Sequence, residues 1–584
     1  MDVFRLFRRL WPYLMRYKLR LTLGVIFIII GNLMAIINPQ IVRRAIDYLK
    51  QPIEINQLLK YAALIVLITL AQGIFRFLMR RTVIVVSRLI EFDMRNQLFA
   101  ILQTLSQSFF QRTPTGDIMA RMTSDLNAIR SVLGPGIMYT INTATTMILV
   151  FVMMINISPF LTLIALLPIP LLVFLVSYFS RQINKRYSAV QAQFAEISTK
   201  AQENLSGIRI IKSYVKELYE WQDFNRINQK YVQKSLHYVK IHAAFRPMMM
   251  LLVGVSIVLT LLIGGKLIIN GVITLGQFVA FNLYLGMLIW PSIALGWVLG
   301  LFYQGVASMK RLDLIFTARP EIVDAPHIQT VKTLKGNISF RHLYFKYPHS
   351  DTIVLKDIDF NIEANNTVAL IGRTGSGKST LIKLIARIYN APERSLFIDQ
   401  LPIEQIPLKI LREHLAYVPQ ETFLFSDTIR NNIAFARPDA SQAEIEWAAE
   451  MAQIHQNIVE FPDGYDTLLG ERGINLSGGQ KQRITLARAL LKKPEILLLD
   501  DALSAVDNVT EEQILRNLKK VMKNKTCCWV SHRISAIKHA DLILVLDQGR
   551  IAERGTHNAL LAAGGIYAEL YEKQKLEEYV SKVE

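Results

Sequence analysis

The chain has 584 residues, 51% of them hydrophobic, and a formal charge of +19. One hydrophobic core does not serve that length, so two or more domains are expected, and the positive mean hydropathy excludes an ordinary soluble enzyme. The charge would suit nucleic acid, but the apolar runs are confined to residues 19–303 and ordinary charged sequence fills 320–584; basic cytoplasmic loops beside anionic lipid account for it better, and no nucleic-acid partner is expected.

Residues 1–18 place Arg5, Arg8, Arg9, Arg16 and Lys18 among Phe, Leu and Trp, the pattern of an interfacial elbow helix rather than of a cleavable signal. Crossing a hydrocarbon layer of ~30 Å takes about 20 apolar residues in a helix. Six runs meet that, near 19–38, 58–79, 134–156, 159–179, 245–268 and 277–303. The third and fourth are joined by the short NISP and the fifth and sixth by the uncharged INGVITLG, whereas two long polar connections keep helical periodicity. Loops of that length need structure of their own, so the spans are expected to continue as long cytoplasmic arms. Turns at their far ends, near 112–130 (broken at Pro114 and Gly116) and 205–217 (around Gly207), are candidate coupling elements or plain hairpin tips. Arg76 and Lys266 sit near span ends and can snorkel; no acid lies mid-span, so no ion relay is indicated. Gln277, Asn282, Trp290 and Trp297 would suit a cavity for amphipathic cargo, or simply pack helices.

The membrane domain is assigned to 1–310, a linker to 311–335 and a soluble α/β domain to 336–584. In the last, TVALIGRTGSGKST reads as a strand, a loop G-x-x-x-x-G-K-S from Gly372 to Ser379, and a helix. Gly372, Gly375 and Gly377 let the backbone of Arg373, Thr374, Ser376 and Thr380 curl its N–H groups toward phosphates; Lys378 supplies charge to the outer phosphates and Ser379 a magnesium ligand. Asp500 closes the apolar run Ile496–Leu499, a buried parallel strand, and a carboxylate at such a strand end beside a P-loop suits Mg2+. The cysteines, Cys527 and Cys528, are neighbours pointing to opposite faces of a strand, so neither a disulfide nor a metal site is expected.

LSGGQKQR (Leu476 to Arg483), YVPQ with Gln420, WVSHR with His532, FKYP with Tyr347 and ALSAVD, taken with the P-loop, resemble the nucleotide-binding domain of ATP-binding cassette (ABC) transporters. TLLGERG (Thr467 to Gly473), TGDIMARMTSDL and the six spans resemble the exporter half-transporters, and among them the bacterial Mdl-type multidrug subunits. The resemblance implies an all-α six-helix membrane domain followed by an α/β domain with a RecA-like core and a helical subdomain. It implies ATP and Mg2+ as ligands, Tyr347 stacked on adenine, Gln420 and Asp500 at the metal, Gln420 also near the attacking water, and His532 on the γ-phosphate. It further implies that Ser477, Gly478, Gly479 and Gln480 complete the partner chain's site across a head-to-tail dimer.

The family usually has Glu after the magnesium Asp; here it is Asp501. A side chain one methylene shorter retracts by ~1.2–1.5 Å, a misplacement that can cost about a hundredfold in rate. With the signature intact, the expectation is a heterodimer in which this chain's own site is slow and a non-identical partner with Glu owns the strong site. The alternative is a homodimer that adjusts around Asp501. The expected activity is ATP-driven export of amphipathic small molecules across a bacterial inner membrane, with lipid or peptide export, or an ATP-gated channel-like protein, as alternatives.

Overall fold

A computed structural model describes residues 2–50, 54–326, 328–329, 331–348, 350–470, 473 and 475–583. The chain divides into two compact units, Met1–Gln103 with Thr115–Ala318, and Thr104–Pro114 with Arg319–Glu584.

The first unit is helical. After the amphipathic Asp2–Arg16 helix, five helices among the described residues are long and apolar enough to cross a membrane: Lys18–Tyr48, Ile55–Thr104, Thr115–Ile157, Glu217–Ile269 and Leu275–Phe316. The fourth expected span is broken instead, into Pro159–Leu166 and Ile169–Ser206, because Pro168 and Pro170 deprive the backbone of successive donors. The last helix runs to Phe316, so irregular chain starts later than the expected linker. At 1.5 Å per residue, the 50 residues of Ile55–Thr104 and 53 of Glu217–Ile269 extend about 75–80 Å, more than twice the ~30 Å hydrocarbon core. These helices therefore overrun the bilayer as arms.

Two arms, Ile169–Ser206 and Glu217–Ile269, run antiparallel and meet in aromatic layers. Phe179 packs on Phe245 at 5.7 Å between centroids, Tyr187 on Tyr238 at 5.7 Å and Phe194 on Tyr231 at 6.1 Å. The spacing of about seven residues is two helical turns, which keeps each ring on the shared seam. Toward the tip, Lys200 pairs with Glu220 at 2.6 Å and Asp223 at 3.0 Å. On the other arms, Glu91 is nearly buried among Arg88, Arg95 and Arg130, and Arg311 makes a two-pronged pair with Asp125. Two residues considered for a cargo cavity serve their own helix: Gln277 closes a capping box with Thr274 and Asn282 donates to the Phe278 carbonyl at 3.0 Å. Trp297 lies edge-on to Tyr139, and Trp290 is exposed.

The second unit contains two sheets. Strands β1 (Ile338–Lys346), β2 (Ile353–Ile362), β4 (Leu396–Ile398) and β5 (Leu401–Pro402) form an antiparallel sheet in the order β2-β1-β4-β5. The second sheet has the order β10-β9-β3-β8-β7-β6, from β3 (Thr367–Gly372), β6 (Leu415–Val418), β7 (Ile496–Asp500), β8 (Thr526–Val530), β9 (Leu542–Asp547) and β10 (Arg550–Gly555). It is parallel except at the β9–β10 edge. Strands β7 and β8 are buried throughout, as expected for apolar strands covered on both faces. Cys527 and Cys528 enter the two cores on opposite faces of β8, and burial pushes the Cys528 thiol up to about 12. Between β6 and β7 the chain forms helices, ending in Gly478–Leu491.

The segment 104–114 folds with this second unit. Its helix Gln107–Arg112 lies upstream of the element expected at 112–130; residues from Thr115 on belong to the first unit. The reason is a matched set of donors: Ser106 (3.1 Å), Ser108 and Arg112 (3.1 Å) all reach the Glu321 carboxylate, and Tyr389 donates to Gln111 Oε1 at 3.0 Å. The Ser108 hydrogen bond, with Ser106 and Arg112, holds Glu321 below its ordinary value of 4.5. A depressed carboxyl pKa stabilises the folded state above the unfolded value and loses that contribution as pH falls through the folded one. The protection factor of the 104–114 amides, which is exchange corrected for its intrinsic rate at each pH, should therefore be high at neutral pH and fall as pH drops below about 4.5, and Glu321→Ala should flatten that fall.

Candidate functional site

The P-loop springs from the carboxyl end of β3, flanked by β9 and β8, at the sheet edge where α/β folds bind ligands. Gly372, Gly375 and Gly377 all adopt positive φ, +150°, +82° and +103°. At Gly372 a Cβ would stand 2.1 Å from the Leu546 carbonyl oxygen, whereas at Gly375 it would meet open space. Gly372→Ala should thus cost about 3 kcal/mol or more of stability, since backbone must move, and Gly375→Ala only about 1 kcal/mol of conformational strain. Thermal unfolding of the two variants in detergent, compared with wild type, separates these outcomes.

Lys378 opens the helix Lys378–Ile385 and is 5% exposed. Its Nζ donates to the carbonyls of Gly372 (2.8 Å) and Arg373 (2.9 Å). Burial lowers its pKa, against the opposing charges of Asp501 and Asp500. The next residue, Ser379, donates its hydroxyl to Asp500 Oδ1 at 2.7 Å. Asp500 is 1% exposed; burial raises its pKa, while hydrogen bonds from Ser379 and Tyr417 and the charge of Lys383 oppose the rise. Tyr417, on neighbouring β6, donates to Asp500 Oδ2 at 3.3 Å. It was not singled out in the sequence, although YVPQ places it three residues from Gln420 on a strand beside β7.

These groups fit a magnesium nucleotide. The Ser379 hydroxyl and the Asp500 carboxylate put two hard oxygens side by side at a glycine cradle with a buried ammonium. Mg2+ is held by few protein oxygens together with phosphates and waters, so two such oxygens beside a phosphate cradle fit it.

Asp501 lies one residue beyond the strand with φ +50° and is 8% exposed. Its N–H donates to the Val530 carbonyl at 2.9 Å, and its carbonyl accepts from Ser504 Oγ at 3.1 Å. Gln482, which sequence reading passed over, is buried and ties this turn to the signature helix. Its Nε2 donates to Ser504 Oγ at 2.9 Å and reaches the Asp501 carbonyl at 3.5 Å, and its Oε1 accepts from Ala505 N at 2.9 Å.

The signature residues head the helix Gly478–Leu491. Ser477 and Gln480 form a reciprocal capping box, the standard way to satisfy first-turn donors. A Cβ on Gly479 would lie 2.7 Å from the Ala505 carbonyl oxygen, and one on Gly478 would touch Ala505 Cβ at 3.4 Å. No hydrogen bond joins Ser477–Gln480 to residues 372–380 among the described residues. Gln420 and His532 are exposed, just past β6 and β8 respectively; His532 contributes its carbonyl to Gln574. Of the segment Thr467 to Gly473, Glu471 and Arg472 lie outside the described residues.

Tyr347 shares a hydrogen bond with Thr380 Oγ1 at 2.9 Å and meets Tyr389 edge-on at 5.0 Å. A cavity of about 360 Å³ opens beside it, lined by Phe345, Lys346, Pro348, Asp351, Ile388 and Asn390 among others.

A parallel sheet with a P-loop and an adjoining strand-end carboxylate, fused behind a helical membrane domain, defines a membrane-coupled P-loop nucleotide-binding protein. The comparisons sharpen this. Residues 21–292 match the family profile "ABC transporter transmembrane region" and 355–504 match "ABC transporter". The chain is 38% identical to the probable multidrug resistance ABC transporter ATP-binding/permease protein YheI of Bacillus subtilis (strain 168), over 98% of each chain. It is 35% identical to the multidrug resistance-like ATP-binding protein MdlA of Escherichia coli (strain K12), over 98% of this chain and 97% of that one. It also resembles the structure of a bacterial Atm1-family ABC exporter with ATP bound, with TM-score 0.77 and 29% identity, over 95% of this chain and 98% of that one. The chain belongs to the ABC transporter family, as an exporter-type half-transporter with fused membrane and ATPase domains.

Proposed function

We propose that the chain is the hydrolysis-impaired half of a heterodimeric exporter in a bacterial inner membrane, moving amphipathic small molecules, and that its partner carries Glu where this chain has Asp501. The observation that carries this is the way Asp501 is held. Its backbone is fixed on both sides, by Val530 through the N–H and by Ser504 through the carbonyl, in a left-handed conformation. The turn therefore resists sliding forward by the ~1.2–1.5 Å that the missing methylene leaves open, a distance worth about a hundredfold in rate.

In this reading Gly372–Thr380 and Lys378 bind the phosphates, Ser379, Asp500 and Gln420 hold Mg2+, and Tyr347 and its cavity receive the adenine face. The metal's contribution is charge neutralisation on the phosphates. His532 hydrogen-bonds the γ-phosphate, while Asp501 and Gln420 address the attacking water from a carboxylate position that is too far back. Ser477, Gly478, Gly479 and Gln480 present a hydroxyl and N–H groups, at the positive end of a helix, to the nucleotide of the partner chain. Names of the relatives support multidrug cargo, since both YheI and MdlA carry that description.

The purified chain alone should turn ATP over slowly, and co-purification with a half-transporter bearing Asp-Glu at this position should raise the rate strongly. Robust turnover by the chain alone, unchanged by Asp501→Glu, would contradict the proposal.

A further inference from the structure

The Glu217–Ile269 helix carries Pro247 where the sequence starts the fifth membrane span. Proline has no amide proton, so the carbonyl of Ala243 loses its ladder partner and the helix opens on that side. A recess of about 850 Å³ lies there, lined by His242, Ala243, Arg246, Pro247, Met250 and Leu251. Their i, i+3, i+4 spacing strings them along one side of the helix, where His242 also packs on Tyr238 at 5.6 Å between ring centroids, next to the layer in which Tyr238 meets the neighbouring arm. Met250 and Leu251 are each 60% exposed. The face is thus cationic at its cytoplasmic end and apolar at its membrane end.

Among the described residues its charge has no acidic partner. No acidic residue occurs in 126–195 or in 224–312, the stretches that supply this face and its surroundings. Among the described residues Arg246 makes no ion pair or side-chain hydrogen bond, and neither do Arg181, Lys185 or Lys240 between the same aromatic layers; the Nε of Arg186 is buried without a partner. A cation at a hydrocarbon boundary is stabilised by snorkelling to the polar interface or by a counter-charge, and an anionic head group would supply the second. The recess is an open groove on one helix, so it would cover one side of an elongated ligand, and its methionine is a side chain that adapts to varied apolar shapes.

We infer that this recess is a binding site for cargo and that the cargo is an anionic amphiphile, its phosphate or carboxylate head meeting Arg246 and His242 and its apolar chain lying along Met250 and Leu251. The inference rests on the exporter reading and narrows its substrate class.

The test uses the full chain with its partner in nanodiscs of phosphatidylcholine and measures equilibrium binding of radiolabelled dodecyl phosphate and dodecyltrimethylammonium. The anionic probe should bind at least about tenfold more tightly than the cationic one, and inorganic phosphate at millimolar concentration should not displace it. The double variant His242→Ala/Arg246→Ala should lose that preference, Arg246→Lys should keep most of it, and Lys266→Ala should leave it intact. Equal affinity for the two head groups, or an unchanged preference in the double variant, overturns the inference. So does stimulation of ATP turnover by phosphatidylglycerol in the disc without binding of dodecyl phosphate, which would make the face a lipid anchor. ATP turnover by the same preparations is read in parallel: unequal-site hydrolysis without anion preference sinks the cargo inference alone, and its absence sinks the heterodimer reading alone.

Discussion

Gly479→Asp in this chain is expected to abolish ATP turnover by the paired transporter, while Lys378→Ala in the same chain lowers it by no more than about threefold. The asymmetry is unusual, because a P-loop lysine is ordinarily the more damaging residue to lose. It follows from which site each residue serves. Lys378 is buried in the chain's own cradle on the carbonyls of Gly372 and Arg373, and that site is proposed to be slow already. Gly479 is proposed to present backbone donors to the partner's nucleotide, where losing a donor to a developing charge costs about a hundredfold or more. Any side chain at Gly479 also meets the Ala505 carbonyl, 2.7 Å from the ideal Cβ position. Ser477→Arg is the companion variant. Ser477 is exposed, so the bulk is accommodated within the chain but obstructs the partner's phosphate. Turnover by the co-purified pair, with thermal stability as a folding control, gives the ranking. A Lys378→Ala loss equal to that of the two signature variants would contradict it.

The second large effect is a gain. Asp501→Glu should raise hydrolysis at this chain's own site by about ten- to a hundredfold, because the added methylene restores the ~1.2–1.5 Å of reach. Asp501→Asn, by contrast, should change the pair's overall turnover by less than about twofold, since little catalysis depends on that carboxylate. For the Glu variant the measurement is single-turnover hydrolysis in a pair whose partner lacks its own catalytic Glu, so that only this chain's site reports; for the Asn variant it is steady-state turnover by the intact pair. The left-handed backbone at Asp501 and the fixed hydrogen bonds on either side make the side chain, and not the turn, the variable that matters.

Local chemistry made much of this readable. Gly372 to Ser379 announces itself because a phosphate cradle needs glycines and a Lys-Ser pair in consecutive positions, and Asp500 because a buried strand has to end somewhere polar. The six apolar runs were equally plain, since hydrocarbon thickness fixes their length. The fold class and the family resemblance were legible on those grounds. What escaped depends on pairings distant in sequence. Tyr417 reaches Asp500 only through the alignment of β6 with β7, and Gln482 joins Asp501, Ser504 and Ala505 only once the signature helix packs back on that turn. The segment 104–114 found its place through Glu321, more than two hundred positions away. The interruption of the fourth span was visible as Pro168 and Pro170, but hydropathy outweighed it.

The claim on which the rest depends is that the chain's two contributions are separable, a weak site it owns and a strong site it completes. Vanadate trapping with a photoreactive, radiolabelled ATP analogue in the co-purified pair tests it most directly, because trapping marks the P-loop at which hydrolysis occurred. The label should accumulate on the partner chain, with little on this one, and should appear on this chain once Asp501→Glu is introduced. Equal labelling of both wild-type chains, or labelling confined to this chain, would contradict the account.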